Sequence, residues 1–315
     1  MESAVRTSAT VSDLAALVDG ALAVPGAQGT ARPFIEELVS APERGVRAVL
    51  LYGSCLWPTV QGRASCPDLM VIVDSLTRFH RDVGAALLGT VLPPSVYRLR
   101  RGPDVYAKLS VATVTQLKSQ CGAMGKDLHL AGRLSKRVAL VWARDAASRA
   151  LVVDAQVAAL RTLAPLALSR LGRRVALDRF IDALLRLSYE SEIRIVEPAK
   201  VAALFAAERE HYRAIARALL ADLGAFADGA SGELVIPPRA TAPTALLARR
   251  LRRSRRRALL RWPKYLITYD GWLDYLLKKL ERAGQPVALT DWQRRLPLIL
   301  ALPVLFRLAT ARRLA

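Results

Sequence analysis

Cysteine is scarce. Cys55, Cys66 and Cys121 are the only three, and they form neither a Cys-x-x-Cys pair nor an even set. A disulfide framework is therefore excluded, and a reducing compartment suits the chain. Long apolar runs are also missing. The longest uncharged one, Leu296 to Phe306, has 11 residues and two prolines, against the ~20 that a membrane-crossing helix needs. The first residues, MESAVRTSATVSDLAALVDGAL, start acidic and hold no unbroken apolar core, so they read as neither a secretory signal nor a convincing transit peptide. Aromatic residues make up 6%, and no stacking platform of the kind single-stranded nucleic acid needs accompanies the basic stretches. Acidic residues are outnumbered, 27 against 47 Lys and Arg.

What the chain does have is apolar content and positive charge. At 315 residues and 52% hydrophobic composition it suits two domains with ample cores. The net charge is +20, and the region from Ser231 onward, with 18 Lys/Arg and 5 Asp/Glu, supplies +13 of it. Such a balance implies a polyanionic partner, either nucleic acid or anionic lipid headgroups. Charge alone does not choose between them.

The stretch from Val46 to His80, VRAVLLYGSCLWPTVQGRASCPDLMVIVDSLTRFH, organises the rest. Val46 to Tyr52 is a strand-length apolar run ending at Gly53-Ser54, where a strand should pass into a helix start. Asp68 opens a second apolar run, Leu69 to Val73, which Asp74 closes. Small residues after one strand let backbone N–H groups approach a polyphosphate, and a carboxylate at the start of the neighbouring strand can hold the bridging metal. Asp74, six residues beyond Asp68, is ~20 Å away along an extended strand, too far to share one ion. It reads as structural.

This Gly-Ser followed by an acidic strand start resembles the DNA polymerase β-like nucleotidyltransferases. YGS, PDLMVIVD, Phe79-His80, Ala107-Lys108-Leu109, LHLAGRLSKRV (Leu128 to Val138), LSYESEIR (Leu187 to Arg194) and the Trp292 to Arg307 block are together similar to the mitochondrial-type phosphatidate cytidylyltransferase family. That resemblance covers most of the chain from Val46 onward. It implies an α+β fold, with a small mixed sheet flanked by helices, then a mainly helical domain and a C-terminal amphipathic helix. It further implies transfer of CMP from CTP to phosphatidic acid, giving CDP-diacylglycerol and pyrophosphate for phosphatidylglycerol and cardiolipin synthesis. Carried over residue by residue, Gly53 and Ser54 would hold CTP phosphates, with His80 in the same nucleotide-binding set. Asp68 would bind magnesium, and Lys108, Arg133 and Lys136 would offset the charge of two phosphorylated substrates. Where many superfamily members have Asp-x-Asp, this chain has Met70 after Asp68, so the remaining metal ligands must come from elsewhere. The partners implied are CTP, phosphatidic acid and an anionic membrane surface, with no nucleic acid. The resemblance sets no oligomeric state. The expected location is peripheral, on the cytoplasmic face of the membrane in a bacterium or the matrix face of the mitochondrial inner membrane in a eukaryote.

Along the chain, Ser12-Asp13 should cap a helix through Ala23, and a second helix should run from Pro33 to Ser40. Further helices are expected over Thr77–Leu88, Val114–Leu134 and, in Ala/Leu-rich sequence, Leu151–Leu223. Strands are expected at Val96–Leu99, Val105–Val111 and Val138–Trp142, the last wholly apolar and so buried on both faces. The prolines of Leu234–Leu247 mark a linker. Expected domains are residues 1–148 (nucleotidyltransferase), 149–240 (helical) and 241–315 (basic, ending in a membrane-surface helix). Seven arginines fall between Arg249 and Arg257, which is either a solvated helix or an anion binder. Trp292, Leu296, Ile299, Leu300, Val304 and Phe306, flanked by arginines, suit an interface-lying helix or a core helix. Two competing readings of the same residues remain: a nucleic-acid-associated protein whose arginine cluster does the binding and whose nucleotidyltransferase fold acts on RNA or is inactive, and a nucleotidyltransferase acting on a small hydroxyl compound or on protein.

Overall fold

A computed structural model describes residues 10–56, 66–102, 105–191, 198–227 and 233–268, with Leu273 and Leu277. The Trp292–Ala315 segment lies outside them. The chain divides into two units, Met1–Arg261 and Trp262–Ala315, and the first carries the architecture described below.

A mixed five-stranded sheet is its centre. The strands are β1 (Val46–Tyr52), β2 (Asp68–Val73), β3 (Ser95–Arg100), β4 (Tyr106–Thr113) and β5 (Val138–Ala143), in the order β3-β4-β2-β1-β5. β2 and β4 are parallel, and the other pairs are antiparallel. Alternate side chains go to opposite faces, and both faces are buried. Ala48, Leu50, Met70, Ile72 and Ala112 join one core with α1 (Thr10–Ala21), α5 (Val114–Cys121) and α6 (His129–Leu134), and with the helices that follow the sheet. Val49, Leu51, Leu69, Val71 and Val111 join a second core with α2 (Arg32–Val39). The fold is thus α+β, a mixed sheet flanked by helices. β5 is covered on both faces as its composition implies, although it is an edge strand, and Leu22 O accepts from its Leu140 N–H.

α7 (Ala146–Leu168), α8 (Leu177–Glu190), α9 (Pro198–Ala207) and α10 (Arg209–Asp222) fill the expected Leu151–Leu223 helical region. By length and composition α7 is the one helix among the described residues that could cross a membrane, yet 67% of its apolar window is buried inside the protein. It serves as the core helix. A small sheet of β6 (Arg174–Val175), β8 (Leu234–Val235) and β7 (Phe226–Ala227) closes this region.

Five sequence expectations are corrected. Thr77–Leu88 is two helices, α3 (Leu76–His80) and α4 (Val83–Val91), because Arg81 takes a left-handed φ of 55° and Asp82 caps α4 through Ala85 N–H. Val114–Leu134 is broken at Gly122, whose extended backbone ends α5, and Asp127 meets the His129 N–H at the start of α6. Gly53–Leu56 is a single 3-10 turn rather than an α-helix start. Leu234–Leu247 is no free linker. Ile236 and Ala240 are buried, and Ala242 N–H donates to Pro165 O, so its prolines shape a strap packed on α7. The helix α11 (Thr244–Thr268) begins inside that stretch. α1 also starts ahead of Ser12-Asp13, which lie within it.

Candidate active site

Strand register assembles a row of polar side chains at one end of the sheet. Arg98 pairs with Lys108, Lys108 with Asp68, Asp68 with Tyr52, and Tyr52 with Val138. Paired residues point to the same face, here the face that carries Met70 and Ile72. Lys108 Nζ lies 3.8 Å from Asp68 Oδ1. The strand holds this geometry firmly, since Lys108 N–H donates to Pro67 O at 2.8 Å.

Gly53 closes the other side. Its φ is +81°, and a Cβ there would come within 3.3 Å of Asp68 Oδ2. Only glycine satisfies both the left-handed backbone and the close approach to the carboxylate. The result is a turn whose backbone passes directly beside the acid.

Arg133, at the end of α6, is brought to this row by Tyr52. Its guanidinium lies 4.9 Å over the Tyr52 ring and donates to the Tyr52 hydroxyl, and its Nε bonds His129 Nε2 at 3.1 Å. Lys136 follows two residues ahead of Val138, with Nζ 4.0 Å over the Tyr189 ring of α8. α6 reaches α8 this closely because Gly132 has no side chain. A Cβ there would stand 3.0 Å from Ser188 O. The AGRL and LSY segments therefore meet in space.

Arg98 was missed by the sequence reading. It lies 3.9 Å over the Tyr106 ring, while its buried Nε has no hydrogen-bond acceptor among the described residues. Two cations side by side on paired strands repel. With Asp68 the only acid in the row, the rung carries surplus positive charge and suits an anion. The alternation of Tyr97 and Leu99, which pack in the second core, with Arg98 between them was the available signal.

His80 is not part of this group. Its Nε2 lies 3.0 Å from the Tyr97 hydroxyl and its ring packs on Phe79, under the opposite face of the sheet. Asp74, at the far end of β2, is held by Arg47 and Arg144 at 2.9 Å each. That is a structural ion-pair network. The Ser54 backbone lies in the 3-10 turn next to Gly53. Cys66 adjoins Lys108 and Asp68, and burial pushes its thiol up to about 11 despite the opposing pull of Lys108. It is a packing group rather than a thiolate nucleophile.

Among the described residues no three His, Cys, Asp or Glu side chains cluster as a metal site. A hard cation here would be held by the Asp68 carboxylate, its other positions filled by phosphate oxygens and water. Mg²⁺ commonly binds in that way, with one or two carboxylates plus substrate. The residues present fit that mode.

Neither a protein-family model nor a curated protein matches the chain.

Proposed function

We propose that the chain is a nucleotidyltransferase that moves CMP from CTP to phosphatidic acid, forming CDP-diacylglycerol and releasing pyrophosphate. The observation that carries the reading is the rung Arg98–Lys108–Asp68 beside the left-handed Gly53 turn. It joins one metal-competent carboxylate, two cations and a space that a side chain would fill. The sequence resemblance supplies the nucleotide and the lipid acceptor.

In this mechanism a phosphatidate phosphate oxygen attacks the α-phosphorus of CTP, the new P–O bond forms in line, and the bond to pyrophosphate breaks with its electron pair leaving on the pyrophosphate. The attacking phosphomonoester is already anionic near neutrality, so no strong general base is required. Magnesium, held by Asp68, would neutralise charge on the triphosphate. Lys108 and Arg98 offset phosphate charge across the rung. Arg133, fixed by Tyr52 and His129, and Lys136 do so from the α6 side, and their preset positions are what such electrostatic catalysis requires. Gly53 keeps the phosphate approach open. The proposed site of action is the inner face of a membrane, where the lipid acceptor lies.

Labelled CTP, offered with magnesium and phosphatidate vesicles, RNA or a soluble hydroxyl acceptor, tests the reading. Label should enter the lipid fraction from CTP and far less from ATP or GTP. Label in RNA or the soluble acceptor alone, or equal use of ATP, would overturn it.

A further inference from the structure

α4 is built inside out. At 100° per residue its small Ala86 and Gly89 face the protein, Gly89 so tightly that a Cβ would lie 2.7 Å from Ser95 Oγ. Its large residues face outward. Val83, Leu87 and Val91, spaced by four, are 77%, 63% and 61% exposed, a continuous apolar stripe. A nine-residue helix gains nothing in water from that arrangement, and exposed stripes of this kind mark contact surfaces.

α11 lies against the end of α4. Arg257 Nη2 donates to Val91 O at 3.3 Å and Arg261 Nε to Pro93 O at 2.8 Å. The inward face of α11 is committed. Ser254 Oγ donates to Ser191 O and accepts from Leu128 N–H, and both Arg257 and Arg261 bind the Asp127 carboxylate. Its outward face, a stripe of roughly 120° at 3.6 residues per turn, carries Arg249, Arg252, Arg253 and Arg256 and then Leu259 and Leu260, the leucines 49% and 59% exposed. None of the four arginines is ion-paired among the described residues. Arg249 and Arg253, with Arg250 and Lys126, also line an open groove of about 320 Å³, beside which Met124 is 92% exposed.

We infer that α4 and the outward face of α11 form a docking surface for an anionic lipid bilayer. The occupant follows from the pairing of chemistries. Arginines alone would suit any polyanion, but Leu259 and Leu260 on the same stripe, with the α4 stripe of Val83, Leu87 and Val91 whose end Arg257 binds, suit the boundary between headgroups and acyl chains. A nucleic-acid backbone offers such residues nothing. The surface rests on the proposed lipid acceptor for its purpose only, since it would bring the protein to the membrane where that acceptor lies.

Flotation of the intact protein with phosphatidylcholine vesicles, with and without 30% phosphatidylglycerol, tests it. The protein should float with the anionic vesicles only. Leu87→Glu with Val91→Glu, or Arg252→Glu with Arg256→Glu, should each cut the vesicle partition coefficient by about tenfold or more, with the melting temperature unchanged because all four side chains are exposed. Either pair should leave CMP transfer to a water-soluble short-chain phosphatidate unaltered. Wild-type flotation by both variants would overturn the inference. So would absence of flotation by the intact protein, a dimer abolished by Leu87→Glu, or equal binding of RNA lost with Arg252→Glu. If vesicles bind as expected but no lipid acceptor is used, the proposed reaction fails and the docking surface stands.

Discussion

Asp68 and Arg98 occupy one rung of the sheet with opposite demands on the fold. Asp68 begins β2 beside Lys108 at 3.8 Å, so its charge is balanced within the protein. Asp68→Asn keeps the shape but replaces a hard anionic ligand with a poor neutral one. The variant should fold normally and lose well over tenfold in kcat/KM, a barrier increase of more than ~1.4 kcal/mol. Retention of more than about a tenth of wild-type turnover would end the metal assignment. Arg98 faces Lys108 across the strand pair, and that repulsion offsets what its contact with Tyr106 contributes. Arg98→Gln should therefore leave stability within ~1 kcal/mol of wild type while raising KM for the phosphorylated substrates. A large drop in melting temperature with unchanged kinetics would make Arg98 a structural residue.

Elements show where sequence reading works and where it stops. β1, β2 and β5 were legible because their apolar runs have strand length and sharp ends, and Asp68 was legible because a carboxylate opening such a run is chemically conspicuous. The breaks at Arg81 and Gly122 were not. Apolar spacing continues across them, and only backbone conformation and capping by Asp82 end the helices. Arg98 was hidden for another reason. Its role depends on which strand lies beside β3, and pairing between distant segments is not written in local periodicity. His80, grouped with Gly53 and Ser54 by the resemblance alone, lies instead against Tyr97 under the other face of the sheet, a placement set by α3 that the chain's local pattern does not carry. Gly132 is the clearest case of a residue whose reason is tertiary. Gly132→Val would push a branched side chain against the Ser188 backbone, 3.0–3.2 Å from where its Cβ would sit, and backbone cannot swing aside. Such overpacking costs about 1–3 kcal/mol. Thermal unfolding should register that loss together with reduced activity, because α6 carries Arg133 to the rung. A variant as stable and active as wild type would show that α6 and α8 separate freely.

At the scale of the whole molecule, acid should loosen the protein in two stages. His211 lies near the Arg137–Glu208 ion pair, and burial first, then Arg137, lowers it from 6.5 to about 4. The unfolded chain therefore binds this proton more readily than the folded one. Stability from His211 is whole above about pH 6.5 and falls as the pH drops from there to about 4, by up to roughly 3 kcal/mol. The second stage involves Asp127, which joins the α5–α6 loop to α11. Burial opposes its charge, but Arg261, His129 and Arg257 together hold its carboxyl below the usual carboxylate range. Its contribution is thus present above about pH 4 and is lost only below it, as the pH falls through the lowered folded value. Asp127→Asn should leave Arg257 and Arg261 without their anion and cost about 3–5 kcal/mol at neutral pH, a deficit that shrinks below pH 4 as the wild type protonates. His211→Leu should flatten the stability profile between pH 6.5 and 4 without touching the steeper fall below. Urea midpoints measured from pH 3 to 8 on the three proteins separate these effects. A His211→Leu profile parallel to wild type across pH 4 to 6.5 would remove the first stage, and an Asp127→Asn deficit unchanged down to pH 3 would remove the second.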